Sequence, residues 1–192
     1  MEVLPARAER VLELGCGTGN LTLRLAAGYP EATITTVDAS PEMTALTGHR
    51  AVDAGCAGRV VTKTARFEDL AFPAGSFDLV ASCMSLHHVR DKAALYRDIA
   101  AWLSPGGVLR FADQFLGATP ALQEGFWEGW LRHCRLRGHC TEEEIQSLLR
   151  HAAAHDHYVP LAEHFAMLRG AGFVAMDCSW RTLMYAVVTA DR

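Results

Sequence analysis

Three glycines, Gly15, Gly17 and Gly19 in the segment VLELGCGTGN, have the type and spacing to do chemistry through their backbone. They follow a short apolar run that reads as a buried strand and precede a stretch with helical spacing. Glycine at such a junction lets the chain turn tightly and touch a ligand at the carboxyl end of a sheet. The spacing is GxGxG, not the GxGxxG that lays a pyrophosphate on a helix N-terminus, and Glu13 stands two residues before the first glycine. The loop therefore suits a nucleotide-like cofactor without phosphates. Asp38, at the end of the next apolar run, is placed to accept both hydroxyls of a ribose. Its competing use is as N-cap of the following helix, a role Ser40 before Pro41 can fill equally well.

The elements that must hold these residues follow from pattern. Val11 to Leu14, Thr33 to Val37, Val60 to Thr62, Phe77 to Ser82 and Val108 to Ala112 read as five buried strands, and Asn20 to Ala27, Pro41 to Ala54 and Lys92 to Leu103 read as helices. Alternation of this kind specifies a doubly wound α/β domain with a parallel sheet covered on both faces. From about residue 114 to 157 the strands stop. Phe126, Trp127, Trp130, Leu131 and Leu136 recur at roughly helical spacing and suggest a helical insert, with Phe115 part of its aromatic stripe, and TEEE at Thr141 is a capping box that starts a second helix. A helix over Leu161 to Arg169 and two strands, Val174 to Trp180 and Leu183 to Thr189, complete the chain. The last two are too close for a crossover helix, so they must pair antiparallel.

Composition narrows the class. The chain has 192 residues, 50% hydrophobic and 21% charged, with a formal net charge of -4. That is enough for one domain with a full core spanning residues 1–192. The mild acidity and the lack of a Lys/Arg run argue against direct binding of duplex nucleic acid. There is no candidate membrane span, and MEVLPARAER lacks the apolar core of a secretion signal, so a cytoplasmic location is expected. Six scattered cysteines without CxxC spacing favour reduced thiols.

The ordered motifs VLELGCGTGN, TVDASPEM, FEDLAFPAGSFDLV, SLHHV and LSPGGVLRFAD resemble those of the class I S-adenosylmethionine-dependent methyltransferases, from Val11 to Asp113. The resemblance implies a Rossmann-like seven-stranded sheet of order 3-2-1-4-5-7-6 with strand 7 antiparallel, S-adenosyl-L-methionine as cofactor, and methyl transfer to a small-molecule acceptor. Carried over by position, Gly15, Cys16 and Gly17 would line the methionine part, Glu13 would hold the loop or meet the amino group, Asp38 would bind the ribose, Met43 would pack on the adenine, and Cys83, at the end of strand four, would contact the cofactor. Arg66 occupies the place where the family often has an acid that meets the adenine amine. Arg cannot accept a hydrogen bond, so Glu68 or a backbone carbonyl must substitute, or stacking on Phe67 must hold the ring. The layout of the tail resembles, more loosely, the carboxy-S-adenosylmethionine synthase branch, whose members modify the cofactor itself. A non-catalytic binding module is the alternative of a different class.

Methyl transfer needs chiefly alignment, so no triad is required and none is present. His87 and His88, in the loop after strand four, would face the cofactor methyl; His88 is the candidate catalytic residue, against a role in shaping the loop. His151 and His155 share a helix face, but no HExxH accompanies them, and packed or solvated histidines are the reading; no metal site is assigned. Cys134 and Cys140 could instead take a thiophilic substrate such as trivalent arsenic. The aromatic stripe of the insert is read as core or homodimer contact, with a substrate lid as its other use. Relatives usually place helices ahead of the first strand, so a cofactor site more open than usual is expected unless the insert or a second subunit closes it.

Overall fold

The computed structural model describes residues 4–192; residues 1–3, the start of the segment read above for a leader, lie outside it. Among the described residues the chain forms seven strands: β1 (Arg10–Leu14), β2 (Thr33–Asp38), β3 (Val60–Thr64), β4 (Phe77–Cys83), β5 (Leu103–Gln114), β6 (Ala175–Thr182) and β7 (Tyr185–Asp191). They make a single sheet of order β3-β2-β1-β4-β5-β7-β6, the order the resemblance implies. β7 runs antiparallel to β5 and β6, and the other pairs are parallel. The α-helices are α1 (Asn20–Gly28), α2 (Pro41–Asp53), α3 (Lys92–Trp102), α4 (Pro120–Leu136), α5 (Glu142–His155) and α6 (Leu161–Gly170).

Side chains alternate between the faces of a strand, and the central strands are apolar on both. Leu12, Leu14 and Val80 pack with Tyr96 and Ile99 of α3 and Leu168 of α6, whereas Val11, Leu79 and Ala81 pack on the other face with Leu25 of α1 and Ala51 of α2. With β2 on one side of β1 and β4 on the other, successive crossovers leave in opposite directions. A crevice opens at the carboxyl ends of β1 and β4, the switch point where this architecture binds ligands.

His164 of α6 lies deep in the first of these layers. Its Nδ1 is 2.6 Å from the Tyr96 hydroxyl, and its ring meets Phe115 edge-on at 4.8 Å. Burial, reinforced by the charge of Lys92, pushes its pKa from 6.5 down to about 4. The unfolded chain therefore takes up a proton at this site before the folded one does. The stability His164 confers is complete above pH 6.5 and is lost as pH falls toward 4, a loss of about 3 kcal/mol. Denaturant midpoints at pH 7 and near pH 4.5 should thus converge for His164→Phe relative to wild type; equal acid losses in both would assign the proton uptake elsewhere.

Two features of the insert region differ from the sequence reading. β5 runs to Gln114, and Phe115, buried beside Phe111 and His164, belongs to the sheet core and not to the helical stripe. The cause is backbone pairing: the Phe115 N–H donates to the Met184 carbonyl at 2.8 Å, which continues the β5–β7 edge and turns the ring inward. α4 begins at the Thr119 cap with Pro120 in its first turn. α5 starts on the expected capping box, Glu144 N–H donating to Thr141 Oγ1 and Thr141 N–H donating to the Glu144 carboxylate.

After α5 the chain returns to the sheet, where His157 N–H donates to the His87 carbonyl at 2.8 Å. Buried Lys92 holds this return: its Nζ donates to the Val89 carbonyl at 2.6 Å and the His157 carbonyl at 2.5 Å. Burial lowers the Lys92 pKa, while Asp113 and Asp156 act against that shift. Lys92→Met keeps the stem and removes both bonds, so stability should fall by about 2 kcal/mol and the His157 amide should exchange faster with deuterium. Unchanged exchange there would show that the return is held without Lys92.

Candidate functional site

The glycine loop spans the mouth of the crevice. Gly15, Gly17 and Gly19 have φ of +79°, +49° and +82°, a region that L side chains rarely adopt. Gly15 and Cys16 N–H both donate to the Val37 carbonyl, at 2.9 and 3.0 Å, which ties the loop across the end of β2. A Cβ on Gly15 would lie 2.2 Å from the Ser85 Cβ and 3.6 Å from the tip of Phe67. The loop and the turn after β4 therefore approach each other through a missing side chain. Ser82 and Ser85 hydroxyls both donate to the Leu14 carbonyl, at 2.9 and 2.8 Å, closing the gap between β1 and β4.

Asp38 stands at the end of β2. Its carboxylate accepts from Gly17 N–H at 2.8 Å and from Ser40 N–H at 3.0 Å. Ser40, not Asp38, caps α2, its Oγ accepting from Met43 N–H at 3.2 Å. Between Asp38, Gly15 and the segment after β3 lies a cavity of about 300 Å³ whose wall also includes Arg66, Phe67, Glu68 and His88.

Of the residues named from sequence, Gly15, Asp38, Arg66, Phe67, Glu68 and His88 line this cavity. Glu13 lies beneath it, fully buried; its Oε2 accepts from the Thr22 and Thr36 hydroxyls at 2.5 and 2.8 Å, and its Oε1 has no partner. Burial pushes the Glu13 carboxyl up, with its hydroxyl partners opposing. Cys16, Gly17, Met43 and Cys83 are not in the cavity wall: Cys16 is buried, Met43 is half-buried in the first turn of α2, and Cys83 is exposed at the end of β4. Burial raises the Cys16 thiol, and partial desolvation with the nearby Asp113 and Glu13 carboxylates raises that of Cys83, the opposite of a reactive cysteine. Arg66 and Glu68 face each other at 3.6 Å with both side chains largely exposed, so an acid does reach this wall, two residues after the expected position.

The two histidines part company. His87 turns inward: it is buried, its Nδ1 lies 2.5 Å from Asp113 Oδ1, and its N–H donates to Asp113 Oδ2 at 3.1 Å. Both rings were expected to face the cofactor; His87 instead points inward, because Asp113 at the end of β5 captures its ring, while His88 lines the cavity. His88 is half-exposed, with Nδ1 3.0 Å from Asp156 Oδ1. Burial and the adjacent His87 lower its pKa.

His88 also lines a second cavity, of about 230 Å³, under the insert. Met84, Trp127, Trp130 and Leu148 supply its apolar wall, and His87 and Asp156 its polar end. Trp127 and Trp130 meet edge-on at 5.4 Å. Trp127 and Trp130 of the aromatic stripe thus line a space next to the glycine-loop cavity. Sequence reasoning did not single out Ser85, Asp113 or Asp156 as site residues. Asp113 closes the last quoted motif and Asp156 sits among histidines, but nothing local says that they meet His87.

A family model described as a methyltransferase domain matches residues 11–107. The chain is 36% identical over 120 residues to a 27-O-demethylrifamycin SV methyltransferase of Amycolatopsis mediterranei, covering 62% of this chain and 44% of that protein. It is 31% identical over 165 residues to a malonyl-[acyl-carrier protein] O-methyltransferase of Herminiimonas arsenicoxydans, covering 85% and 59%. The chain thus spans about half the length of these curated relatives. A solved S-adenosylmethionine-dependent methyltransferase from Mesorhizobium loti superposes over 98% of this chain and 94% of its own, with a TM-score of 0.68 at 19% identity, a likeness of fold.

Proposed function

The chain belongs to the class I S-adenosylmethionine-dependent methyltransferases, and on that premise we propose that it methylates a small, largely apolar acceptor held under the α4–α5 insert. The residues present fit the cofactor. The unpartnered, buried Oε1 of Glu13 offers an acceptor below the loop that would hold the methionine end. Gly15 leaves room where any side chain would collide with Ser85, and Cys16 and Gly17 complete that loop. Asp38 would take the ribose hydroxyls, Phe67 the face of the adenine, and Glu68 its amine, with Arg66 balancing that acid. Met43 and Cys83 would contribute at the margins of the cofactor and not from the cavity wall. When bound, the cofactor supplies an electrophilic methyl group on a positively charged sulfur.

This chain's own contribution is placement. Trp127 and Trp130 keep water from the acceptor and present a flat apolar surface. His88, shared by the two cavities, is the side chain proposed to touch the reacting atom. Alignment of the acceptor against the methyl group lowers the barrier without any covalent intermediate on the protein. The observation that carries this reading is the adjacency of the two cavities through His88, one walled by the glycine loop and Asp38, the other by the insert.

The setting proposed is cytoplasmic, supported by six unpaired cysteines; among the described residues no helix is long and apolar enough to cross a membrane. Calorimetric titration with S-adenosylhomocysteine, followed by transfer of labelled methyl to a panel of hydroxylated aromatic and acyl acceptors, tests the proposal. Binding with turnover is expected. A folded sample that does not bind overturns it, and a copurified cofactor heavier by a carboxyl group would assign the cofactor-modifying activity instead.

A further inference from the structure

We propose that His87, His88 and Asp156 form a site for a divalent transition metal at the polar end of the acceptor cavity. One nitrogen from each histidine and one oxygen of Asp156 lie within 4.8 Å of one another. The His87 Nε2 is 3.8 Å from Asp156 Oδ1, and the His88 Nδ1 is 3.0 Å from the same oxygen. That oxygen is buried and has no hydrogen-bond partner, although its side chain is only 5% exposed. A carboxylate oxygen withdrawn from water between two imidazoles, with no hydrogen bond from either, is costly unless a cation completes it.

The outer contacts have the form that metal ligands require. Asp113 accepts from His87 at Nδ1 and at the backbone, which fixes the ring and leaves the lone pair of Nε2 directed at Asp156. A carboxylate behind a ligating histidine is the usual device for setting its tautomer and orientation. The Tyr158 hydroxyl likewise donates to Asp156 Oδ2, leaving Oδ1 as the free oxygen.

Two nitrogens and one carboxylate suit zinc, cobalt, nickel, manganese or ferrous iron better than calcium or magnesium, which prefer oxygen. Three protein ligands leave a position open, as in metal sites that bind substrate. Here the open side faces the cavity walled by Met84, Trp127 and Trp130. An acceptor hydroxyl placed there would give its proton to water more readily and would be held by its oxygen. The consequence for function, which rests on the methyltransferase reading above, is that the acceptor atom is an oxygen.

The experiment separates the two readings. The chelator-treated chain is titrated with zinc chloride by calorimetry, and with cobalt chloride while the visible spectrum is recorded. S-adenosylhomocysteine binding is measured on the same samples. One zinc per chain is expected, with cobalt bands of low coordination number. Asp156→Asn and His88→Gln should each weaken zinc by about 100-fold or more, and Asp113→Asn by about 10-fold to 100-fold. His151→Ala and His155→Ala, on the neighbouring α5, should leave it unchanged. Circular dichroism melts confirm that each variant is folded. No stoichiometric zinc binding by wild type overturns the site, as does full retention of zinc by the His88→Gln, Asp156→Asn double variant. If zinc fails while S-adenosylhomocysteine binds, only the metal site falls; if zinc binds and S-adenosylhomocysteine does not, the methyltransferase reading falls.

Discussion

Gly15→Ala should abolish detectable cofactor binding, a loss of at least about 100-fold, and should destabilise the fold by about 3 kcal/mol. Two costs act together. The residue sits at φ +79°, where a side chain strains the backbone, and its Cβ would lie 2.2 Å from the Ser85 Cβ and 2.4 Å from the Ser85 hydroxyl oxygen. Ser85 cannot simply turn away, because its hydroxyl donates to the Leu14 carbonyl and contacts Ser82 at 2.7 Å. The loop must therefore lift from the mouth of the crevice. Urea denaturation and S-adenosylhomocysteine titration, carried out where the variant is still folded, measure both effects. Adding Ser85→Gly removes the collision but not the strain, so the double variant should regain part of the stability. Wild-type binding by Gly15→Ala would mean that the loop does not meet the cofactor.

The second large effect is expected at Asp38. Its carboxylate carries the two backbone donors that shape the loop, Gly17 N–H and Ser40 N–H, and faces the cavity. Charge-assisted hydrogen bonds are worth about 1.5 to 3 kcal/mol each. Asp38→Ala removes two such bonds to the proposed ribose as well as the loop contacts, so affinity for S-adenosylhomocysteine should fall by at least about 100-fold. Asp38→Asn retains one acceptor oxygen and should lose less affinity than alanine while keeping most of the stability. The difference separates the two roles: a purely structural Asp38 would lose stability and binding in proportion. Unchanged affinity in Asp38→Ala would remove the ribose assignment.

These two residues were legible in the sequence, and so was most of the frame that holds them. Alternating faces along Val11 to Leu14 and Leu79 to Ala81, glycines at the turn, Ser40 before Pro41 and the TEEE capping box are all set by neighbours within a few positions, where steric and hydrogen-bond preferences act directly. Strand order followed from the family resemblance and, at the carboxyl end, from a connection too short for a crossover.

The polar end of the cavity under the insert was not legible. His87 and His88 are adjacent in the chain and of one type, yet Asp113, 26 residues away, draws one ring into the interior and leaves the other at the cavity wall. Asp156 reaches them because the chain after α5 pairs with the His87 carbonyl and is held by Lys92, from 65 residues away. Phe115, read as part of the insert's aromatic stripe, joins the sheet core because its N–H pairs with the Met184 carbonyl at the β-edge. Periodicity encodes which side of an element is apolar. Which distant polar groups meet depends on how whole elements pack, and here that packing places His87, His88 and Asp156 around one point.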